Sequence, residues 1–122
     1  MQLDLFGKTA NQMFDKWVHT SGGRWIANHC IRYAYQFNRE GKKRSIKLIW
    51  ELVREDLRDY REELNQKGIK ITKTDGYAMS NSFTAHMARF IEDREPKLKG
   101  YFKKNKLKNG KAPKKAVVIP IK

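Results

Sequence analysis

The sequence predicts a mostly helical α+β domain: three helices, a β-hairpin, a further helix and a lysine-rich C-terminal tail. Three observations lead there. Residues 46–64 carry apolar side chains at helical spacing for about five turns. Residues 69–79 change to period-two alternation around Asp75-Gly76. Ser45, Gly41, Gly68 and Pro96 then act as start and stop signals that divide the remainder into helical lengths.

The first helix is expected over residues 10–19, where Met13, Phe14 and Trp17 share a side; Ser21-Gly22-Gly23 should break it. A second helix is expected over residues 24–40, stopped by Gly41. It gathers Trp25, Ile26, His29, Cys30, Tyr33 and Phe37 on one side. Ser45 is the expected N-cap of the third helix. There Ile46, Ile49, Trp50, Val53, Leu57, Tyr60 and Leu64 fall within an arc of about 100°. Its outer face is net acidic, with Glu51–Arg54 and Glu55–Arg58 spaced as i,i+3 pairs. Ile69-Lys70-Ile71-Thr72 and Tyr77 to Met79 read as two strands joined at Asp75-Gly76, a tight-turn dipeptide. Lys70, Thr72, Lys73 and Thr74 would decorate that turn. Ser80 or Asn81 caps a fourth helix with Phe83, Met87, Phe90 and Ile91 inward, ending near Arg94. Pro96 starts a last short turn with Leu98 and Phe102 inward. Residues 116–119 would form a late strand.

Three helices before a hairpin is the order of a winged-helix domain, in which one helix enters the major groove. The acidity of the third helix makes it a poor partner for phosphates. The divisions expected are a leader over residues 1–8, a domain over 9–102 and a basic tail over 103–122.

Charge narrows the function classes. The 122 residues hold 27 Lys+Arg against 13 Asp+Glu, a net charge of +14. Such an excess favours polyanions. It is concentrated at one end: residues 97–122 contain ten lysines and no acid, whereas residues 1–96 net only +4. No segment reaches the ~20 apolar residues of a membrane span, and the first twenty residues lack the basic and apolar regions of a signal peptide. A single cysteine, Cys30, forms no internal disulfide and fits a reducing compartment. The expectation is a cytoplasmic protein without a membrane role.

The leader is the most specific motif. Gln2-Leu3-Asp4-Leu5-Phe6 resembles, at all five positions, the pentapeptide by which bacterial DNA-processing proteins bind the ring-shaped replication sliding clamp. Composition alone produces this pattern in roughly one chain in several thousand of this length, so it stands well above background. The resemblance implies that Leu5 and Phe6 fill a deep pocket and Leu3 a shallower one. It also implies that Gln2 supplies directional hydrogen bonds and Asp4 stays at the rim. Burying each apolar side chain yields about 1.5–3 kcal/mol before ordering costs. The alternative is an N-terminal strand, Leu3 and Leu5 alternating, paired with residues 117–121.

A second resemblance spans the domain. Ser45-Ile46-Lys47, Glu51-Leu52-Val53-Arg54, Asn81-Ser82-Phe83 and Pro96-Lys97-Leu98-Lys99-Gly100-Tyr101-Phe102 look like a group of small phage and prophage proteins. This implies a mobile-element origin.

Two basic surfaces are candidates for DNA, mainly through its backbone. The first is the helical stripe Arg24, Asn28, Arg32, Tyr35 and Arg39 with the adjoining loop Lys42-Lys43-Arg44. Arginine forks, an amide and an aromatic ring suit phosphate and base contacts. The second is the tail, with Lys97, Lys99, Lys103, Lys104, Lys106 and Lys108. Lysines act as point charges and read no base pattern, so the tail implies non-specific, salt-steep affinity.

No catalytic residues are singled out. His19, His29 and His86 are scattered, and no Cys/His spacing matches a zinc site. Glu51, Glu55 and Glu62 are more readily ion-paired surface groups than ligands of a nuclease metal. No cofactor is expected. The function expected is a phage-type DNA-binding accessory protein recruited to the sliding clamp. The alternative is a phage-encoded inhibitor that blocks host replication or defence machinery by protein contact.

Overall fold

The computed structural model describes residues 10–102. All regular structure among them is helical: α1 (Ala10–Val18), α2 (Ser21–Arg39), α3 (Ile46–Gln66) and α4 (Thr84–Arg94). Single 3-10 turns stand at Lys73–Asp75, Asn81–Phe83 and Pro96–Leu98. The N-terminal peptide, the tail beyond residue 102 and the expected strand at 116–119 lie outside the described residues.

The apolar stripe of α3 organises the core. Ile49, Trp50, Val53 and Leu57 are buried, and α3 packs against both α2 and α4. Ile26, Ala27, Cys30 and Ala34 come from α2, and Met87 and Ile91 from α4. Leu98, Tyr101 and Phe102 close one end; Phe14 and Val18 of α1 close another. Burial pushes the Cys30 thiol well above its ordinary range, so it packs as a small hydrophobe.

The expected cap of α3 is present, whereas α4 begins after Phe83 with no side-chain cap, and Ser80 caps the preceding 3-10 turn instead. The Ser45 hydroxyl accepts from the Leu48 amide at 3.1 Å and so satisfies an otherwise orphaned first-turn donor. The Ser80 hydroxyl does the same for the Ser82 amide at the turn leading into α4.

The break between the first two helices differs from expectation. Ser21-Gly22-Gly23 is not a linker but the first turn of α2, capped by the Thr20 hydroxyl accepting from the Gly23 amide at 3.0 Å. The glycines are there for space. A Cβ on Gly22 would run into the Gly76 carbonyl, and one on Gly23 into the Trp17 carbonyl.

The larger correction concerns residues 69–79. The expected β-hairpin, and with it the α+β, winged-helix-like fold, is not formed, and no strand occurs among the described residues. The turn at Asp75-Gly76 is real, but only Gly76 adopts a left-handed conformation, at φ +90°. Asp75 belongs to a 3-10 turn capped by Thr72. The carbonyls a second strand would offer to its partner are taken by side chains from helices. Trp17 Nε1 donates to the Gly76 carbonyl at 2.9 Å, Arg61 Nη2 to Tyr77 at 2.9 Å and Arg54 Nη2 to Met79 at 3.1 Å. Buried backbone acceptors need partners, and helical donors supply them here in place of a ladder. Ile69 is 49% exposed, while Ile71, Tyr77 and Met79 pack against the core from irregular backbone rather than from paired strands.

An aromatic cluster fastens α1 to α4: Phe14 stacks on His86 at 5.5 Å and meets Phe83 edge-on at 5.4 Å. Desolvation, then the neighbouring Arg89, lowers the His86 pKa from its ordinary value of 6.5. The folded state therefore binds fewer protons than the unfolded chain just below that value. His86 adds stability above its unfolded pKa, and this is lost as pH falls through the folded one. In thermal melts between pH 7 and 5, the wild type should lose more stability on acidification than His86→Phe, which keeps the ring but does not titrate.

Replacing a helical glycine by alanine ordinarily stabilises by about 0.5–1 kcal/mol. At Gly22 the sign should reverse, because the Gly76 backbone must move. Urea midpoints of Gly22→Ala and wild type check this, with a lower midpoint expected for the variant.

Candidate nucleic-acid interface

The stripe on α2 is built by spacing alone. Residues 24, 28, 32, 35 and 39 recur every three or four positions, beside the buried row of Ile26, Ala27, Cys30 and Ala34. Arg24, Asn28, Arg32 and Arg39 are exposed. From Arg24 to Arg39 the helix rises about 22 Å, roughly the rise of six nucleotides on one strand of duplex.

Tyr35 departs from its expected role. It is half-buried, and its hydroxyl donates to Glu95 Oε1 at 2.6 Å. That hydrogen bond is the main cause of its raised pKa. The ring thus ties α2 to the end of α4 and is not free to stack on a base.

Asn28 and Arg32 line an open groove of about 510 Å³ with Trp25 and with Arg94 from the end of α4. Arg94 is a cation the sequence pattern did not place beside the stripe. The nearby His29 ring stacks on Trp25 with centroids 3.7 Å apart. Its Nδ1 lies 2.9 Å from the Trp25 carbonyl, which assigns the proton to that nitrogen and leaves Nε2 to accept from Arg32 at 3.4 Å. His29 is a satisfied, half-buried group, as its place on the apolar side of α2 implied.

Tyr101 joins the basic loop to the C-terminal end of the domain. Its hydroxyl donates to the Lys42 carbonyl at 2.7 Å and accepts from the Arg44 amide at 3.0 Å. Lys43 Nζ donates to the Tyr101 carbonyl at 3.1 Å and lies 5.3 Å from the ring centroid. Arg44 sits over the Phe37 ring at 5.5 Å, and Lys42 lies 3.4 Å from Glu40.

Glu92 secures the same end. Its two carboxylate oxygens accept from the Gly100 amide at 3.1 Å and the Phe102 amide at 2.7 Å. Lys97 and Lys99 are exposed there. Loop 42–44 and these lysines thus share one end of the molecule, and α2 carries the arginine stripe to that end. Lys103, Lys104, Lys106 and Lys108 lie outside the described residues, as do Gln2, Leu3, Asp4, Leu5 and Phe6.

Tyr101 and Glu92 are the positioning residues that sequence reasoning missed. Nothing in local periodicity marks them, because each acts on chain that is remote or irregular. Among the described residues no three His, Cys, Asp or Glu side chains converge as a metal site. No helix among them is long and apolar enough to cross a membrane. Glu51 and Glu55 pair with Arg54 and Arg58, as their spacing predicted. Compared with protein-family models, curated proteins and solved structures, the chain finds no match.

Tyr101→Phe should leave the core intact but release the loop. The loss of two partly buried hydrogen bonds should cost about 1–3 kcal/mol. Native-state hydrogen exchange checks it: the Arg44 amide should lose protection, while amides in the middle of α3 should change only by the global loss.

Proposed function

We propose that this chain is a phage-type, DNA-associated accessory protein that docks onto the bacterial sliding clamp. The observation that carries the reading is the agreement of Gln2-Leu3-Asp4-Leu5-Phe6 with the clamp-binding pentapeptide at every position. In this reading Leu5 and Phe6 enter the deep pocket, Leu3 the shallow one, and Gln2 sets direction. The ordering cost of an extended peptide keeps its affinity near micromolar.

DNA supplies the second foothold. Arg24, Arg32 and Arg39 along α2, the loop Lys42-Lys43-Arg44 and the lysines from Lys97 onward contact the backbone. Tethering the peptide makes DNA contact effectively intramolecular, so two weak attachments reinforce each other. The contacts are mainly to phosphate: the α2 ring that would have stacked, Tyr35, is bonded to Glu95. Retention of the protein near a loaded clamp, without sequence preference, is the consequence.

Titration of purified bacterial sliding clamp against the intact protein tests the tether. Micromolar binding is expected, weakened roughly a hundredfold or more by Leu5→Ala with Phe6→Ala. Absence of binding by the intact protein overturns the clamp reading. For the DNA foothold, affinity for a short duplex should fall steeply with salt, by about 0.9 log units per tenfold salt for each phosphate contacted. Arg24→Glu with Arg32→Glu should make that slope shallower.

A further inference from the structure

The arginines of α3 face a second basic surface, which shares no residue with the stripe on α2. Arg54, Arg58 and Arg61 recur at i, i+4 and i+7, so they form one row along the helix. The segment that replaces the hairpin runs opposite this row. Between them lies a recess of about 440 Å³ whose charged lining is Arg54, Arg58, Arg61 and Lys73, with Tyr77 and Ser80 among the other walls. No carboxylate lines it. Glu51 and Glu55 pair with Arg54 and Arg58 from outside it.

The four cations fall into two kinds. Arg61 holds the Tyr77 carbonyl, and Arg54 holds the Met79 carbonyl and, at 2.6 Å, Asn81 Oδ1. Their guanidinium planes are thereby fixed before any ligand arrives, and each keeps further N–H donors. Arg58 and Lys73 do no comparable work for the fold. The Arg58 side chain is 67% exposed, with Glu55 at 4.0 Å. The Lys73 side chain makes no hydrogen bond or ion pair with the described residues, while its backbone carbonyl accepts from Gly76. Arg54 and Arg58 have carboxylate partners, whereas Arg61 and Lys73 have none among the described residues, and an oxyanion bound between them would offset their uncompensated charge.

We propose that this recess is a phosphate-binding site. The fixed fork of Arg61 sets the position of phosphate oxygens, Arg54, whose Nη groups already serve Glu51, Met79 and Asn81, adds its remaining N–H donors, and Arg58 and Lys73 close on them from the two rims. The shared chemistry is a phosphate group, either carried on a nucleic-acid strand or free in solution. Fixed arginine forks suit planar, bidentate recognition of phosphate, and the lysine adds a point charge. The proposal depends on neither the clamp peptide nor the α2 stripe.

The test is an isotope-edited NMR titration of the intact chain with sodium pyrophosphate, against sodium chloride at matched ionic strength. The expected result is saturable shifts in the Arg58 and Arg61 side-chain signals and in the amides of residues 73–80. Arg58→Ala with Lys73→Ala should weaken binding by roughly tenfold or more. The control Lys16→Ala with Lys47→Ala removes the same charge elsewhere and should bind as wild type. Should the groove variant melt below wild type, Lys73→Ala alone, at an exposed turn, carries the comparison.

A short single-stranded oligonucleotide forms the second arm. Shifts in the same signals, competed by pyrophosphate, identify the phosphate as one carried on nucleic acid; pyrophosphate shifts alone identify a free phosphate. The proposal is overturned if neither ligand moves these signals saturably. It is equally overturned if the groove and control variants weaken binding alike. Oligonucleotide binding confined to the α2 stripe and tail, with no pyrophosphate shift at the recess, overturns it while leaving the DNA foothold standing.

Discussion

Three backbone carbonyls, those of Gly76, Tyr77 and Met79, accept hydrogen bonds from the side chains of Trp17, Arg61 and Arg54. The rest of the structure depends on this exchange of donors. A chain segment leaving α3 must satisfy its polar backbone or remain in water. A sheet would do so by pairing with itself; here the helices do it. The segment is then pressed onto the start of α2, so closely that Gly22 has no room for a Cβ beside Gly76. The same exchange fixes two arginines along α3 and creates the basic recess between helix and segment.

Charge is therefore divided by task. On α3, Arg54 and Arg61 are structural first, holding irregular backbone, and any ligand would meet them already oriented. On α2, Arg24, Arg32 and Arg39 project from a regular helix and do little for the core. At the far end of α2, Tyr101 and Glu92 bind backbone groups on either side of the chain's exit from the domain. They make the basic loop and the segment bearing Lys97 and Lys99 neighbours. Surface charge alone would leave these cations scattered, because exposed lysines gain little from any fixed geometry.

How much was legible follows from the range of the interactions. Helix periodicity, the Ser45 cap, the ion pairs of α3 and the turn at Pro96 rest on residues within four positions of one another, and each stands in the structure. The hairpin was misread because Asp75-Gly76 and the alternation of residues 69–72 are also local signals, but weak ones. They did not contain the competing donors, which lie 59, 16 and 25 residues away. Ser21-Gly22-Gly23 was misread for a related reason: glycine disfavours a helix locally, whereas here close packing against Trp17 and Gly76 requires it.

By itself the sequence determined that four helices form, the apolar stripe of α3 and the uneven distribution of charge, since each is a property of neighbouring residues. Only the tertiary structure decided what the irregular segment becomes, that Tyr35 is bonded to Glu95, that Tyr101 anchors the basic loop, and that four cations line one recess. These outcomes depend on donors and acceptors far apart in the chain. Their partnership is settled when the core of α2, α3 and α4 closes, and no local pattern encodes it.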